Sequence, residues 1–261
     1  MSLVNMILIA IGGFSFAAFQ IQKIEAANLA IAQKEVARHD YLKLAAEKIG
    51  LSCLTDTASR PTVEPLVEEF RIYIFSKLRA PIEFKNLITA EVDSTRIMVF
   101  DMSSPIIHHL RIGVHSCRLI NSKQQTVGLI QSSDLDLPLF DLEPLNFRSL
   151  SGNQFEQFDV KFLNDPSFKN FYRLRGNDCN GVRDLFDSQL RKHLMELDGI
   201  YVEGKGDLLL YCFPDTMMEP SELQTFFSVG FNLMSLLARQ DVQRECVAND
   251  IRELLSKARQ A

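Results

Sequence analysis

The chain has 261 residues, 46% of them hydrophobic, with 19 Phe, no Trp and a formal net charge of −5. A net negative chain without a basic cluster interleaved with aromatics excludes nucleic acid as its expected partner. Its five cysteines, Cys53, Cys117, Cys179, Cys212 and Cys246, lie far apart and form no CxxC pair, which argues against a disulfide framework or a structural zinc and fits a reducing compartment.

The first element is an apolar run, Leu3–Phe19, with no charged residue and Asn5 as its one strongly polar side chain. Seventeen helical residues span roughly 26 Å, a little under the ~30 Å hydrocarbon core. Ile21 and a snorkelling Lys23 extend the span, so residues 3–21 are expected to be a transmembrane anchor in contact with the lipid bilayer. A signal peptide cleaved near Ala17, releasing a secreted domain, and a buried core helix are the alternatives. Lys23, Lys34 and Arg38 follow the run and no Lys or Arg precedes it. The positive-inside rule therefore places the body on the cytoplasmic side of the inner (plasma) membrane.

Residues 22–50 are rich in Ala, Glu, Lys and Gln, lack Pro and end at Gly50, which predicts a helical stalk. Residues 51–69, with Pro61 and Pro65, read as a linker. The globular domain is expected over 70–238. Its predicted strands are Phe70–Ser76, Leu87–Val92, Thr95–Met102, Ile106–Ile120 and Gln125–Ile130, with turns at Asp93-Ser94 and Asn121–Gln124. Asp134–Leu150 alternates Leu and Phe with acids and prolines, as an edge strand running into a loop would. Short strands follow at Phe158–Phe162 and Tyr172–Arg175. One helix capped by Asp178 carries the stripe Val182, Leu185, Phe186, Leu190, His193, Leu194 and Leu197 and stops at Gly199. Tyr201–Glu203 and Leu208–Phe213 form a hairpin, and a helix from Pro220 carries Leu223, Phe226, Phe227, Phe231, Leu233, Met234 and Leu237. Residues 239–261 form a C-terminal amphipathic helix whose Val247, Ile251, Leu254 and Ala258 offer a surface for a protein partner or self-association. The fold class is α+β, an antiparallel sheet packed by two or three helices and preceded by the anchor and stalk.

The segments FYRLRGND, VRDLFDSQL and VEGKGDLLLY, between Phe171 and Tyr211, resemble a broad group of uncharacterised bacterial proteins. Those proteins are anchored by N-terminal transmembrane segments. Phe100-Asp101 followed by His108–Arg118 is similar to an upstream part of the same pattern. The resemblance implies a membrane-anchored protein with a cytoplasmic α+β domain, and it implies no activity.

Candidate chemistry is sparse. On a single strand Ile106–Ile120, His109, Arg111, His115 and Cys117 share one face, the best surface for a tethered hydrolase or transferase. His109 and His115 then lie about 20 Å apart, too far to share an ion, so no metal site and no cofactor are expected. Arg173, Arg175 and Arg183 near the Gly176 turn are the candidates for an anion site. Asp134, Asp136, Asp141 and Glu143 read as the solvent side of an alternating strand. Gly204-Lys205-Gly206 joins two strands where a phosphate loop joins a strand to a helix. No nucleophile elbow, HExxH or dinucleotide fingerprint occurs. A binding or scaffolding module is therefore the expected function, with a membrane-tethered enzyme as the alternative.

Overall fold

A computed structural model of the chain describes the backbone of residues 3–54, 56–70, 82–112, 115–145 and 159–238. It describes their side chains except those of 3–21, 56–60, 69, 92 and 104–123. The order of elements is α1 (Leu3–Lys48), β1 (Ser52–Cys53), α2 (Asp56–Glu69), β2 (Glu83–Val92), β3 (Thr95–Ile112), β4 (His115–Ser132), β5 (Leu137–Pro144), β6 (Tyr172–Gly176), α3 (Cys179–Leu185), α4 (Ser188–Leu197), β7 (Tyr201–Gly206), β8 (Leu208–Cys212) and α5 (Leu223–Leu237).

The strands form one eight-stranded sheet in the order β1-β2-β3-β4-β8-β7-β5-β6, antiparallel at every pairing. Alternation along the strands gives the sheet two buried faces. On one, Ile97, Val99, Ile130, Leu142 and Leu209 pack against α3, α4, α5 and the end of α1. On the other, Met98, Phe100, Leu129 and Leu210 pack against Val63 and Val67 of α2 and against Phe70. The α+β class with an antiparallel sheet holds. Among the described residues, no helix is long and apolar enough to cross a membrane.

Several expectations change. Residues 22–50 are not a stalk clear of the body, because Leu42 and Ala46 of α1 are buried in the first core. Gly50 does end that helix, at φ +73°. The linker 51–69 instead forms β1 and α2, with Pro61 and Pro65 inside the helix. Each proline removes one helical hydrogen bond. Burial of Val63, Val67 and Phe70, spaced by four and three, offsets that loss.

The predicted strand Ile106–Ile120 is the end of β3 and the start of β4. The register runs unbroken from Thr95↔Ser132 to Ile112↔His115, and Asn121–Gln124 lies inside β4. The segment Asp134–Leu150 yields an interior strand, because β5 lies between β7 and β6.

The single helix after Asp178 is two. Asp178 caps α3 by accepting from the Asn180 and Gly181 amides, and Asp187 caps α4 by accepting from the Leu190 amide at 2.8 Å. Between them Phe186 leaves helical geometry and turns its ring edge-on to Phe140, 5.0 Å between centroids. The hairpin β7–β8 turns at Gly206-Asp207, with Gly206 at φ +59°, so Gly204 and Lys205 are strand residues. The expected strand at 71–76 and the C-terminal helix 239–261, with Val247, Ile251, Leu254 and Ala258, lie outside the described residues.

Candidate functional site

A cleft of about 900 Å³ lies between α1 and the β2–β4 end of the sheet. Its floor is built around Asp101, which the alternation of β3 directs to the face that α1 covers. Arg38 reaches down from α1 and donates from Nε and Nη2 to both carboxylate oxygens, at 2.8 and 2.9 Å. Asn86 Nδ2 and Thr126 Oγ1 donate to the same carboxylate at 2.8 and 2.7 Å. Asp101 is thus buried with four hydrogen bonds, two of them from the Arg38 guanidinium.

Asn86 is placed by a backbone irregularity. The β2–β3 register shifts between Lys85 and Ile88, and Asn86 sits at φ +56°. That conformation suits Asn better than most side chains. With its amide nitrogen committed to Asp101, Asn86 Oδ1 accepts from His39 Nδ1 at 2.8 Å. Because an amide oxygen only accepts, His39 Nδ1 carries the hydrogen of this bond. Beside this chain, Lys85 bonds Glu35 at 3.0 Å and Glu83 at 3.2 Å. Burial acts to lower the Lys85 pKa, but the bonds with Glu35 and Glu83 outweigh it and hold the ammonium above its ordinary value.

A second polar cluster lies on the opposite face, at the far end of the sheet. Arg175 on β6 donates to Asp141 at 2.6 Å and to Glu143 at 3.2 Å, both on β5. Glu203 on β7 pairs across from Asp141 and accepts from the Tyr201 hydroxyl. Burial raises the Asp141 carboxyl against the pull of Arg175, with Glu143 and Asp159 adding to the rise. Tyr201 is pushed well above its ordinary value, first by burial and then by Glu203.

The sequence-derived candidates fare differently. Arg173, Arg175 and Arg183 do not gather as an anion site. Arg175 is buried and bonded to acids, Arg173 is exposed, and Arg183 bonds Asn180 Oδ1 and the Lys161 carbonyl. The acidic strip is not a solvated face either, since Glu143 is buried and Asp141 is bonded to Arg175. His109 and Arg111 belong to β3 and His115 to β4, where it pairs with Ile112. The shared strand behind their common face is therefore absent, and their side chains lie outside the described residues. Arg38, His39, Asn86 and Asp101 were missed as a group because they come from three segments far apart in the chain. The one local hint was Asp101, a carboxylate inside the apolar stretch Ile97–Met102.

Among the described residues no group of three or more His, Cys, Asp or Glu could hold a metal ion. Neither a protein-family model nor a curated protein sequence matches the chain. It is similar to the crystal structure of the mycobacterial trehalose monomycolate transport factor A, TtfA, at 12% sequence identity and a TM-score of 0.48, over 76% of this chain and 95% of that one. So distant a likeness carries neither fold nor function across.

Proposed function

We propose that this protein is a single-pass membrane-anchored binding module, held by residues 3–21 in the inner membrane with its α+β body on the cytoplasmic side. The observation that carries the reading is the continuity of α1. One helix runs from the apolar segment Leu3–Phe19 into the core, where Leu42 and Ala46 are buried and Arg38 grips Asp101. Such a helix transmits the position of its N-terminal end to the body without a hinge. The charge asymmetry around the run supports the orientation, and the cleft beside α1 gives the module a place to bind.

Fractionation tests the reading. Full-length, unclipped chain is expected in the membrane pellet after a carbonate wash, with the body digested by protease only in inside-out vesicles. Recovery of the intact chain in the supernatant overturns the anchor, and digestion in right-side-out vesicles overturns the orientation.

A further inference from the structure

The β3–β4 hairpin outruns the sheet that contains it. Its register is continuous from Thr95↔Ser132 to Ile112↔His115. On the β3 side the pairing with β2 stops at Glu83↔Ser103, and on the β4 side the pairing with β8 begins only at Val127↔Cys212. The pairs from Ser104↔Lys123 to Ile112↔His115 therefore form a two-stranded ribbon, with no third strand beside it among the described residues. At ~3.3 Å per residue the ribbon is about 30 Å long. Two strands alone are marginally stable in water, so a surface lying along them contributes what neighbouring strands supply elsewhere in the sheet.

Two contacts fix the direction of the ribbon relative to α1. Arg38 Nη2 donates to Thr126 Oγ1 at 3.3 Å. Glu35, one turn earlier on the helix, accepts from Gln124 Nε2 at 3.4 Å, two residues earlier on β4. Moving toward the N-terminus of α1 is thus moving toward the start of β4, and the ribbon runs the same way as the apolar segment. From Gln124 back to His115 is about 30 Å of strand, a length that α1 covers in about twenty residues from Glu35. Measured along the two axes, the Ile112↔His115 end of the ribbon reaches the level of the apolar run Leu3–Phe19.

The ribbon also differs in charge from the rest of the chain. Residues 104–123 hold Arg111, Arg118, Lys123 and three of the five histidines, and no Asp or Glu, in a chain with 33 acids and a net charge of −5. The register places His109, Arg111 and Arg118 on the face that carries Asp101. Leu110, Ile112 and Leu119 fall on the opposite face, with His108 and His115. No Phe, Tyr or Trp occurs in the ribbon, so the stacking platform used for single-stranded nucleic acid is missing. Cations beside apolar residues, at the level of the anchor, match the headgroup layer of a bilayer with negative surface potential.

We propose that the ribbon 104–123, cationic on one face, largely apolar near the end of the other and running toward the anchor, is a second membrane contact that docks on the headgroups of anionic phospholipid. This assignment rests on the reading of residues 3–21 as an anchor and adds a lipid class to it. The anchor holds the chain to any bilayer, and the ribbon sets the body against one that carries negative charge.

The chain has no Trp, so Ile112→Trp introduces a unique indole at the end of β3, and Ser94→Trp introduces one at the opposite end of that strand. The test uses full-length protein in phosphatidylcholine nanodiscs, with and without phosphatidylglycerol, and a lipid spin-labelled on its headgroup as quencher. Emission from Ile112→Trp should be quenched in the discs with phosphatidylglycerol, far less in phosphatidylcholine alone, and released at molar salt, where the Debye length is about 3 Å. Emission from Ser94→Trp should stay unquenched throughout. In the Ile112→Trp chain, Arg111→Gln with Arg118→Gln should lower the docked-to-undocked ratio about thirtyfold, and Arg111→Lys with Arg118→Lys should preserve it. Equal quenching in the two lipids, full docking of the double Gln variant, or loss of the lipid-dependent quenching to an equimolar oligonucleotide overturns the proposal. Salt-sensitive quenching on phosphatidylglycerol vesicles by chain that a carbonate wash releases supports the ribbon contact and overturns only the anchor. An unquenched Ile112→Trp in chain that stays in the pellet overturns only the ribbon contact.

Discussion

The two ends of the sheet each bury charge, and they solve the problem in opposite ways. At the β2–β4 end, one carboxylate meets one guanidinium, and Asn86 and Thr126 fill the remaining acceptor sites of Asp101. At the β5–β7 end, one guanidinium is shared by Asp141 and Glu143, with Glu203 alongside on the neighbouring strand. The first arrangement is balanced and ties a helix to the sheet. The second is acid-rich, ties strand to strand, and leaves Asp141 with a raised pKa. A carboxyl whose folded pKa is displaced, as that of Asp141 is, makes stability respond to pH.

The largest effect expected from breaking this contrast is at Arg175. Arg175→Leu leaves Asp141 and Glu143 without their cation and should cost about 3–5 kcal/mol at pH 7, read by chemical denaturation. Part of that loss should return as the pH is lowered, because the orphaned carboxyls can take up protons. A loss that is flat from pH 7 to 5 would contradict the acid-rich description. Arg38→Ala should cost about 2–3 kcal/mol, less because Asn86 and Thr126 still hold Asp101. Both variants should unfold in a single transition if the continuous sheet makes the two ends one cooperative unit.

Where the ends meet, Tyr211 of β8 fills the space over Gly128 of β4 and Gly230 of α5, and its hydroxyl donates to the Phe226 carbonyl at 3.1 Å. A Cβ at either glycine would overlap the tyrosine ring. Gly230→Ala should therefore cost about 1–3 kcal/mol by thermal or chemical unfolding, and Gly230→Ala with Tyr211→Phe should not restore it, since the ring remains.

The smallest effects are those of pH on single groups. Asp141, raised by burial, binds its proton in the folded chain at a pH where the unfolded chain has released it. Its contribution to stability therefore grows as the pH falls through its raised value. Asp165 is lowered by its bonds with Ser167 and Arg191, so it stabilises the fold above its ordinary value of 3.8 and loses that contribution as the pH falls through the lowered one. Asp141→Asn should thus remove an acid-side gain and Asp165→Asn an acid-side loss. Stability measured against pH for the two variants should bend in opposite senses relative to the parent chain. Lys85 supplies the alkaline counterpart: its contribution is present below 10.5 and is lost as the pH rises through its raised value.

The local elements were legible wherever a chemical punctuation mark was strong. Asp93-Ser94 turns β2 into β3, with Asp93 at φ +49°, and Gly199 at φ +84° follows α4 as the stop signal predicted. All seven apolar residues assigned to the last described helix are buried on α5. Legibility failed where a residue's local preference was overruled by burial. Pro61 and Pro65 mark a linker in isolation, yet α2 forms because Val63, Val67 and Phe70 reach the second core. The periodic stripe after Asp178 spans both α3 and α4, which the Asp187 cap and the packing of Phe186 on Phe140 separate.

The candidate site was almost wholly illegible for a related reason. Arg38 and Asp101 are 63 residues apart, and Asn86 reaches Asp101 only because a register shift in β2 turns its backbone to positive φ. No spacing rule encodes such a meeting. The amino-acid sequence by itself determined the α+β class, the Asp178 cap, the Asp93-Ser94 turn, the Gly199 stop and the apolar N-terminal run, because those depend on residues close along the chain. Tertiary structure alone decided which charges are buried together, that the end of α1 belongs to the core, and that the arginines of β6 and α3 stay apart. Those outcomes depend on strand order and register, which bring distant residues within hydrogen-bond reach.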